Sequence, residues 1–146
     1  MKILNEANLN FVSRSANEGY ARIAVAGFFA QLDPTVEELS DIRTAVSEAV
    51  TNCIVHAYPE TLGKVFVTVR ILEERTAYIR IRDRGCGIAD IKQAMEPMFT
   101  TARQEERAGL GFAVMQAFMD KVSVRSTPGK GTTVTMLKRL QARSDD

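Results

Sequence analysis

Glu48, Asn52 and His56 stand four residues apart in a stretch with helical periodicity. A four-residue step turns an α-helix about 40° past a full turn, so the three side chains form one ridge. A carboxylate on such a ridge can take a proton from an attacking hydroxyl. A carboxamide one turn away can give one oxygen to a hard cation such as magnesium, without repelling phosphate as a second carboxylate would. Taken alone, the same spacing is that of solvated polar residues on an amphipathic helix, and His56 alone is that of a hydrogen-bonded edge histidine.

Two glycine-rich segments follow. Asp83-Arg84-Gly85-Cys86-Gly87-Ile88 sits where strand character ends. A carboxylate there can accept a hydrogen bond from the exocyclic amine of adenine, and Gly85 and Gly87 would let backbone lie close against the base. The alternative is a tight strand-to-helix turn. Gly109-Leu110-Gly111 is read as the opening of a helix, where free amides bind anions. The stretch before it carries Thr100, Thr101, Arg103 and Arg107, all able to contact phosphate. Almost nothing from 100 to 107 is apolar, which predicts a mobile functional loop, either over a ligand or simply solvated. No Gly-x4-Gly-Lys-Ser/Thr run is present, so this is not a P-loop.

The elements that must position these groups are legible as patterns. Residues 8–14 alternate as a short strand. A first helix is expected from Ser15 to about Leu32, with Tyr20, Ile23, Ala24, Gly27, Phe28 and Leu32 as its apolar face. Asp33 and Pro34 restart the chain, Asp33 as a cap and Pro34 in the first helical position. The second helix runs to about Ala57, with Leu39, Ile42, Val46, Ala49 and Cys53 as its stripe, and the Glu48 ridge lies beside that stripe. Val65–Arg70 and Tyr78–Arg82 suggest strands joined by a hairpin at Glu73-Glu74-Arg75-Thr76. Leu110–Met119 is a third helix. Val122 and Val124 begin a strand that returns through Thr132–Leu137 after Pro128-Gly129-Lys130-Gly131. The expected fold class is α/β in the α+β sense. It is a two-layer sandwich with a mixed, largely antiparallel sheet and helices on one face.

At 146 residues the chain is expected to form one domain, 1–146, with 141–146 as a frayed tail. Its 19 basic and 18 acidic residues leave a net charge of +1, which gives no electrostatic case for nucleic-acid binding. No apolar run approaches the roughly 20 residues of a membrane span. Cys53 and Cys86 have no metal-ligand spacing. A reduced, cytoplasmic protein is expected.

In this order the segments resemble the ATP-binding fold shared by DNA gyrase, Hsp90, sensor histidine kinases and MutL, the Bergerat-type fold. The likeness spans roughly residues 35–137. Glu48 and Asn52 match its helix motif, with His56 in the motif's last position. Asp83, Gly85 and Gly87 match the first glycine box. Pro97-Met98-Phe99-Thr100-Thr101 resembles the entry to the ATP lid. Gly109 and Gly111 match the second box, and Gly131-Thr132-Thr133 the last. Over the whole chain, and most finely from Arg14 to Tyr58, the sequence resembles anti-sigma factors that are also serine protein kinases, above all the anti-sigma F factors of spore-forming bacteria.

That resemblance implies ATP or ADP with Mg2+ as cofactors and Glu48 as catalytic base. It implies nucleotide contacts from Asn52, His56, Asp83, Gly85, Gly87, Thr100, Thr101, Arg107, Gly109, Leu110, Gly111 and Thr133, with Asn52 on the metal. It also implies a homodimer that binds a sporulation sigma factor and phosphorylates a serine of an anti-anti-sigma protein, with Arg22 in the partner contact. Without any family, His56 is the chain's sole histidine and lies inside the nucleotide motif, so no other histidine can accept phosphate. A self-sufficient histidine kinase is therefore disfavoured. The rivals are a nucleotide-dependent sigma-binding protein without kinase activity, a general-stress anti-sigma kinase, and a histidine-kinase catalytic fragment.

Overall fold

The structure is a computed structural model that describes residues 1–88 and 103–142, with 103–110 as backbone alone. The elements run β1 (Ile3–Val12), α1 (Ala16–Phe29), a 3-10 turn (Ala30–Leu32), α2 (Val36–Asn52), a π-helical turn (Cys53–Ala57), β2 (Lys64–Leu72), β3 (Thr76–Asp83), α3 (Arg103–Phe118), β4 (Lys121–Thr127) and β5 (Gly131–Arg139). The sheet order is β1-β2-β3-β5-β4, and all four pairings are antiparallel. The expected two-layer sandwich is present, and no parallel pairing occurs among the described strands.

Alternation along each strand divides the sheet into two faces. Ala7, Leu9 and Phe11 of β1 lie in register with Val69, Val67 and Val65, and those in turn with Ile79, Ile81 and Asp83. Ile79 and Ile81 meet Met136 and Val134. This face packs with Phe29, Ile42, Val46, Phe112 and Met115 of the helices into one buried cluster. The β2–β3 hairpin turns as expected, through Glu74 and Arg75 at φ of 62° and 55°.

Three expectations change. The buried face of α1 is Ala21, Val25 and Phe29, whereas Tyr20 is 53% and Ile23 70% exposed. Bulk was the misleading signal: the small Ala21 is fully buried, and Tyr20 instead sets its ring edge-on to Phe11, 6.3 Å away. Strand β1 begins five residues earlier than expected, because Glu6, Asn8 and Asn10 occupy its outward positions and hide the alternation. Finally, Asp33 does not cap α2. It ends the preceding 3-10 turn in the left-handed region, at φ 49°. The cap is Thr35, whose Oγ1 accepts from Glu38 N–H at 3.0 Å while Glu38 Oε1 accepts from Thr35 N–H at 2.9 Å, a reciprocal capping box.

Glu38 also ties the start of α2 to the segment that follows β5. Its Oε2 accepts from Gln141 N–H at 2.8 Å. Arg75 donates from Nε to the Gln141 carbonyl at 2.9 Å and from Nη2 to the Leu32 carbonyl at 2.7 Å, and its own carbonyl accepts from Leu140 N–H. No helix of the described residues is long and apolar enough to cross a membrane.

Candidate nucleotide site

The first turn of the site is the last turn of α2. There the helix widens into a π-helical turn, Cys53–Ala57, a feature frequent at functional sites. Glu48, Asn52 and His56 lie along it as one ridge and line a depression of about 260 Å³ with Gly111 and Val114 of α3. A Cβ on Gly111 would come within 3.2 Å of Asn52 Nδ2, 3.3 Å of Asn52 Oδ1 and 3.3 Å of Glu48 Oε2. The missing side chain leaves room for these two polar groups against α3. Asn52 Nδ2 is buried with no hydrogen-bond partner among the described residues. An orphaned buried amide costs about 1–3 kcal/mol, so its presence points to a ligand that completes it. Which amide atom is nitrogen is an assignment. Turning the group over presents oxygen in the same place, as a cation would require.

Beside this depression, and sharing Asn52 and His56 with it, lies a narrow slot between α2, α3 and the sheet. Ala49, Cys53, Ile88, Phe112 and Val134 make its walls, with Asp83 and Thr132 at the sheet. Asp83 ends β3 on the helix side and is 5% exposed. Burial raises its carboxyl above the ordinary value, opposed by hydrogen bonds from Gly85 N–H, the Cys53 thiol and Thr132 N–H. Both backbone donors reach Oδ1, at 2.9 and 3.2 Å. Among the described residues no backbone donor reaches Oδ2. Cys53 is itself pushed well up, first by burial and then by the Asp83 charge, and stays a neutral thiol. An apolar slot with one fixed acceptor at its floor suits a purine base.

The glycines of Asp83-Arg84-Gly85-Cys86-Gly87 do their work differently from the expectation. A Cβ on Gly85 would strike the Ala57 carbonyl, and one on Gly87, at φ 77°, the Thr127 carbonyl. They make room for the protein's own backbone. Cys86 N–H donates to the Ala57 carbonyl at 3.1 Å, its Sγ to the His56 carbonyl at 3.1 Å, and its carbonyl accepts from Gly129 N–H at 2.7 Å. The turn thus pins the π-helical turn to the β4–β5 hairpin. Tyr58 completes this wall, accepting from Arg84 N–H at 2.7 Å and donating to the Lys64 carbonyl at 2.8 Å.

Not every expected contact is assembled here. Gly87 lines the slot, whereas Gly85 lies behind it. Thr133 points to the opposite face of the sheet, in register with Arg82 and Arg125. Its neighbour Thr132 takes the slot position, and Ser126 Oγ holds it, 2.7 Å from Thr132 Oγ1. Strand parity could have found Thr132, because it faces the side that Asp83 faces. The helix expected to open at Gly109 begins at Arg103. Gly109, Leu110 and Gly111 are therefore interior to it. The polar run Arg103-Gln104-Glu105-Glu106-Arg107 reads as loop by its lack of apolar residues, yet these are good helix formers. Arg107 lies on that helix. Thr100, Thr101 and the stretch Pro97-Met98-Phe99 lie outside the described residues. Arg22 sits apart, on α1, in a polar depression with Ser40, Arg43, Thr44 and Ser47. It pairs with Glu18 at 3.7 Å, and Glu18 also accepts from Ser47 Oγ.

The pattern of the histidine kinase-like ATPase domain matches residues 11–138. The anti-sigma F factor of Caldanaerobacter subterraneus is 55% identical over 96% of this chain and 97% of its own. That of Bacillus subtilis is 51% identical over 93% of each. This chain belongs to the anti-sigma F factors, within the histidine kinase-like ATPases. The fold agrees with solved structures. The RsbU and RsbW domains of a Mycobacterium tuberculosis protein superpose with a TM-score of 0.70 at 18% identity, covering 95% of this chain and 33% of that one. A blue-light activated histidine kinase of Erythrobacter litoralis gives 0.58 at 21%, over 80% and 40%. As an anti-sigma F factor with an ATPase-type domain, the chain has a nucleotide site, and the Asp83 slot with the Glu48–Asn52 ridge is where its geometry fits one.

Proposed function

We propose that this anti-sigma F factor is an ATP-dependent serine kinase. It would act on a small anti-anti-sigma protein and, as a cytoplasmic homodimer, grip a sporulation sigma factor. The observation that carries the kinase reading is the convergence of Glu48 and Asn52 on a side-chain-free Gly111, beside the purine slot. Asp83 Oδ2 would accept from the adenine amine. Asn52 would hold Mg2+, which neutralises charge on the phosphates when bound. Among the described residues no group of three His, Cys, Asp or Glu is placed to bind a metal by itself. The donor set, one amide oxygen plus the nucleotide's own phosphates, suits magnesium, which keeps most of its water.

Glu48 would take the proton from an incoming serine hydroxyl, and His56, Thr100, Thr101, Arg107 and the 109–111 backbone would surround the phosphates. Such transfer needs mainly positioning and charge stabilisation. Arg22, with Arg43 beside it, offers the contact for an acidic group of a protein partner.

Incubation with γ-labelled ATP and an extract of a spore-forming bacterium tests this. Label that survives acid and is lost in alkali is phosphoserine, the expected result. The reverse stability would indicate phosphohistidine, and absence of label a pure sigma-binding protein.

A further inference from the structure

The sheet face turned away from the helices concentrates positive charge. By alternation Phe66, Arg82, Thr133 and Arg125 form one row across β2, β3, β5 and β4. Thr68, Arg80, Thr135 and Ser123 form the next, and Arg70, Tyr78, Leu137 and Lys121 the third. The carboxylate that β1 places here, Glu6, is held by Arg70 at 2.6 Å. The chain's net charge is +1, so this face is a local excess that the rest of the molecule offsets.

The first row opens into a groove of about 440 Å³ lined by Arg82, Arg84, Arg125 and Lys130, with Thr127 and Thr133 between them; the buried Asp83 and Thr132 also line it. All four cations are exposed, and no carboxylate of the described residues pairs with any of them. Arg82 and Arg84 both lie 4.9 Å from the centroid of the Phe66 ring. One ring thus gathers two like charges whose repulsion an anion between them would relieve.

We propose that this groove docks an acidic segment of a protein partner, with its carboxylates bridging Arg82, Arg84, Arg125 and Lys130. Guanidinium forks match carboxylates in paired hydrogen bonds, and the threonine hydroxyls add donors between them. Nucleic acid fits less well. Single strands bind by stacking bases on bare aromatic faces. Here Arg82 and Arg84 cover Phe66, and Arg70 covers Tyr78 at 4.9 Å. The unpaired cations gather at one end of the sheet instead of tracking a backbone along it. Asp83 and Thr132 border both the groove and the slot, but Asp83 is buried and accepts from Gly85 and Thr132 N–H, so the docking charge is that of the four exposed cations.

Anisotropy of a fluorescein-labelled octaglutamate peptide, with the whole chain and no nucleotide, tests the proposal. The peptide should bind at low ionic strength and weaken at physiological ionic strength. Arg84→Glu with Arg125→Glu should weaken it about tenfold or more. The neutral pair Arg84→Gln with Arg125→Gln should weaken it less, with an unchanged circular dichroism spectrum. The charge-matched control Lys2→Glu with Arg14→Glu, two exposed cations outside the groove, should leave binding within about twofold of the parent. An equal loss in that control would reduce the effect to net charge and overturn the groove. So would tighter binding of an octathymidine strand than of octaglutamate, or no binding at millimolar peptide. Titration with ATP, run separately, reports on the nucleotide site alone.

Discussion

At its first turn α2 uses Thr35 and Glu38 to satisfy the helix's open amides, and Glu38 then reaches on to Gln141. At its last turn the same helix widens into a π-helical turn, buries an Asn52 amide that has no partner among the described residues, and faces a carboxylate, Asp83, that burial pushes up. One end is closed by its own chain, and the other is left to be completed by something else. Polar groups that a fold could have satisfied locally, but does not, mark where binding was favoured over stability.

The comparison breaks most visibly at Glu48. Glu48→Ala should lower phosphoryl transfer by about 10²–10⁴-fold, with ATP binding retained. Transfer at the parent rate would remove the base from the ridge. Asn52→Ala comes next. It should weaken ATP about tenfold or more in the presence of magnesium, with little effect in its absence. It should leave the melting temperature of the nucleotide-free protein unchanged or higher, because an orphaned donor disappears with it. A clear fall in that temperature would mean that the amide is satisfied after all.

At the closed end the effects are smaller and fall on stability. Thr35→Ala should cost about 1 kcal/mol in denaturant unfolding, with nucleotide affinity unaltered. A loss of nucleotide binding there would show that the two ends are coupled.

The finest test is the pH dependence of the two buried carboxylates. For Glu38, burial works to raise the carboxyl, but hydrogen bonds from Thr35 and Gln141 outweigh it and the net shift is downward from 4.5. Its stabilising effect is present above that value and lost as pH falls through the lowered folded value. The stability gap between the parent and Glu38→Gln should therefore close on acidification. Asp83 has the opposite sign. Its folded value lies above 3.8, so its contribution is fully present below 3.8 and lost as pH rises through the raised value. The gap between the parent and Asp83→Asn should move the other way over that window. Parallel pH profiles for both variants would contradict the distinction.

The candidate ridge was legible in the sequence because helical spacing is rigid. Glu48, Asn52 and His56 fall on one ridge whatever α2 packs against. Asp83 was visible because strand character stops there. Elsewhere the signal was weaker for physical reasons. Ala21 contributes little to an apolar pattern yet lies on the buried face of α1. The start of α3 is made of charged helix formers that look like loop. Thr132 and Thr133 are identical by composition, and parity relative to Asp83 alone separates the one in the slot from the one on the far face. Gly85 and Gly87 were read as yielding space to a ligand, when the nearest atoms are carbonyls far away in sequence. Such contacts exist in three dimensions before any pattern records them.

Arg75, held at a left-handed turn position, ties the β2–β3 hairpin to the Leu32 carbonyl and to the backbone at 140–141. A proteolytic nick or truncation behind Arg139 would therefore unfasten the hairpin tip and the α1–α2 junction at once, and would free Glu38 besides. Affinity tags fused behind residue 142 hang from that knot, so their linkers should be long and compliant.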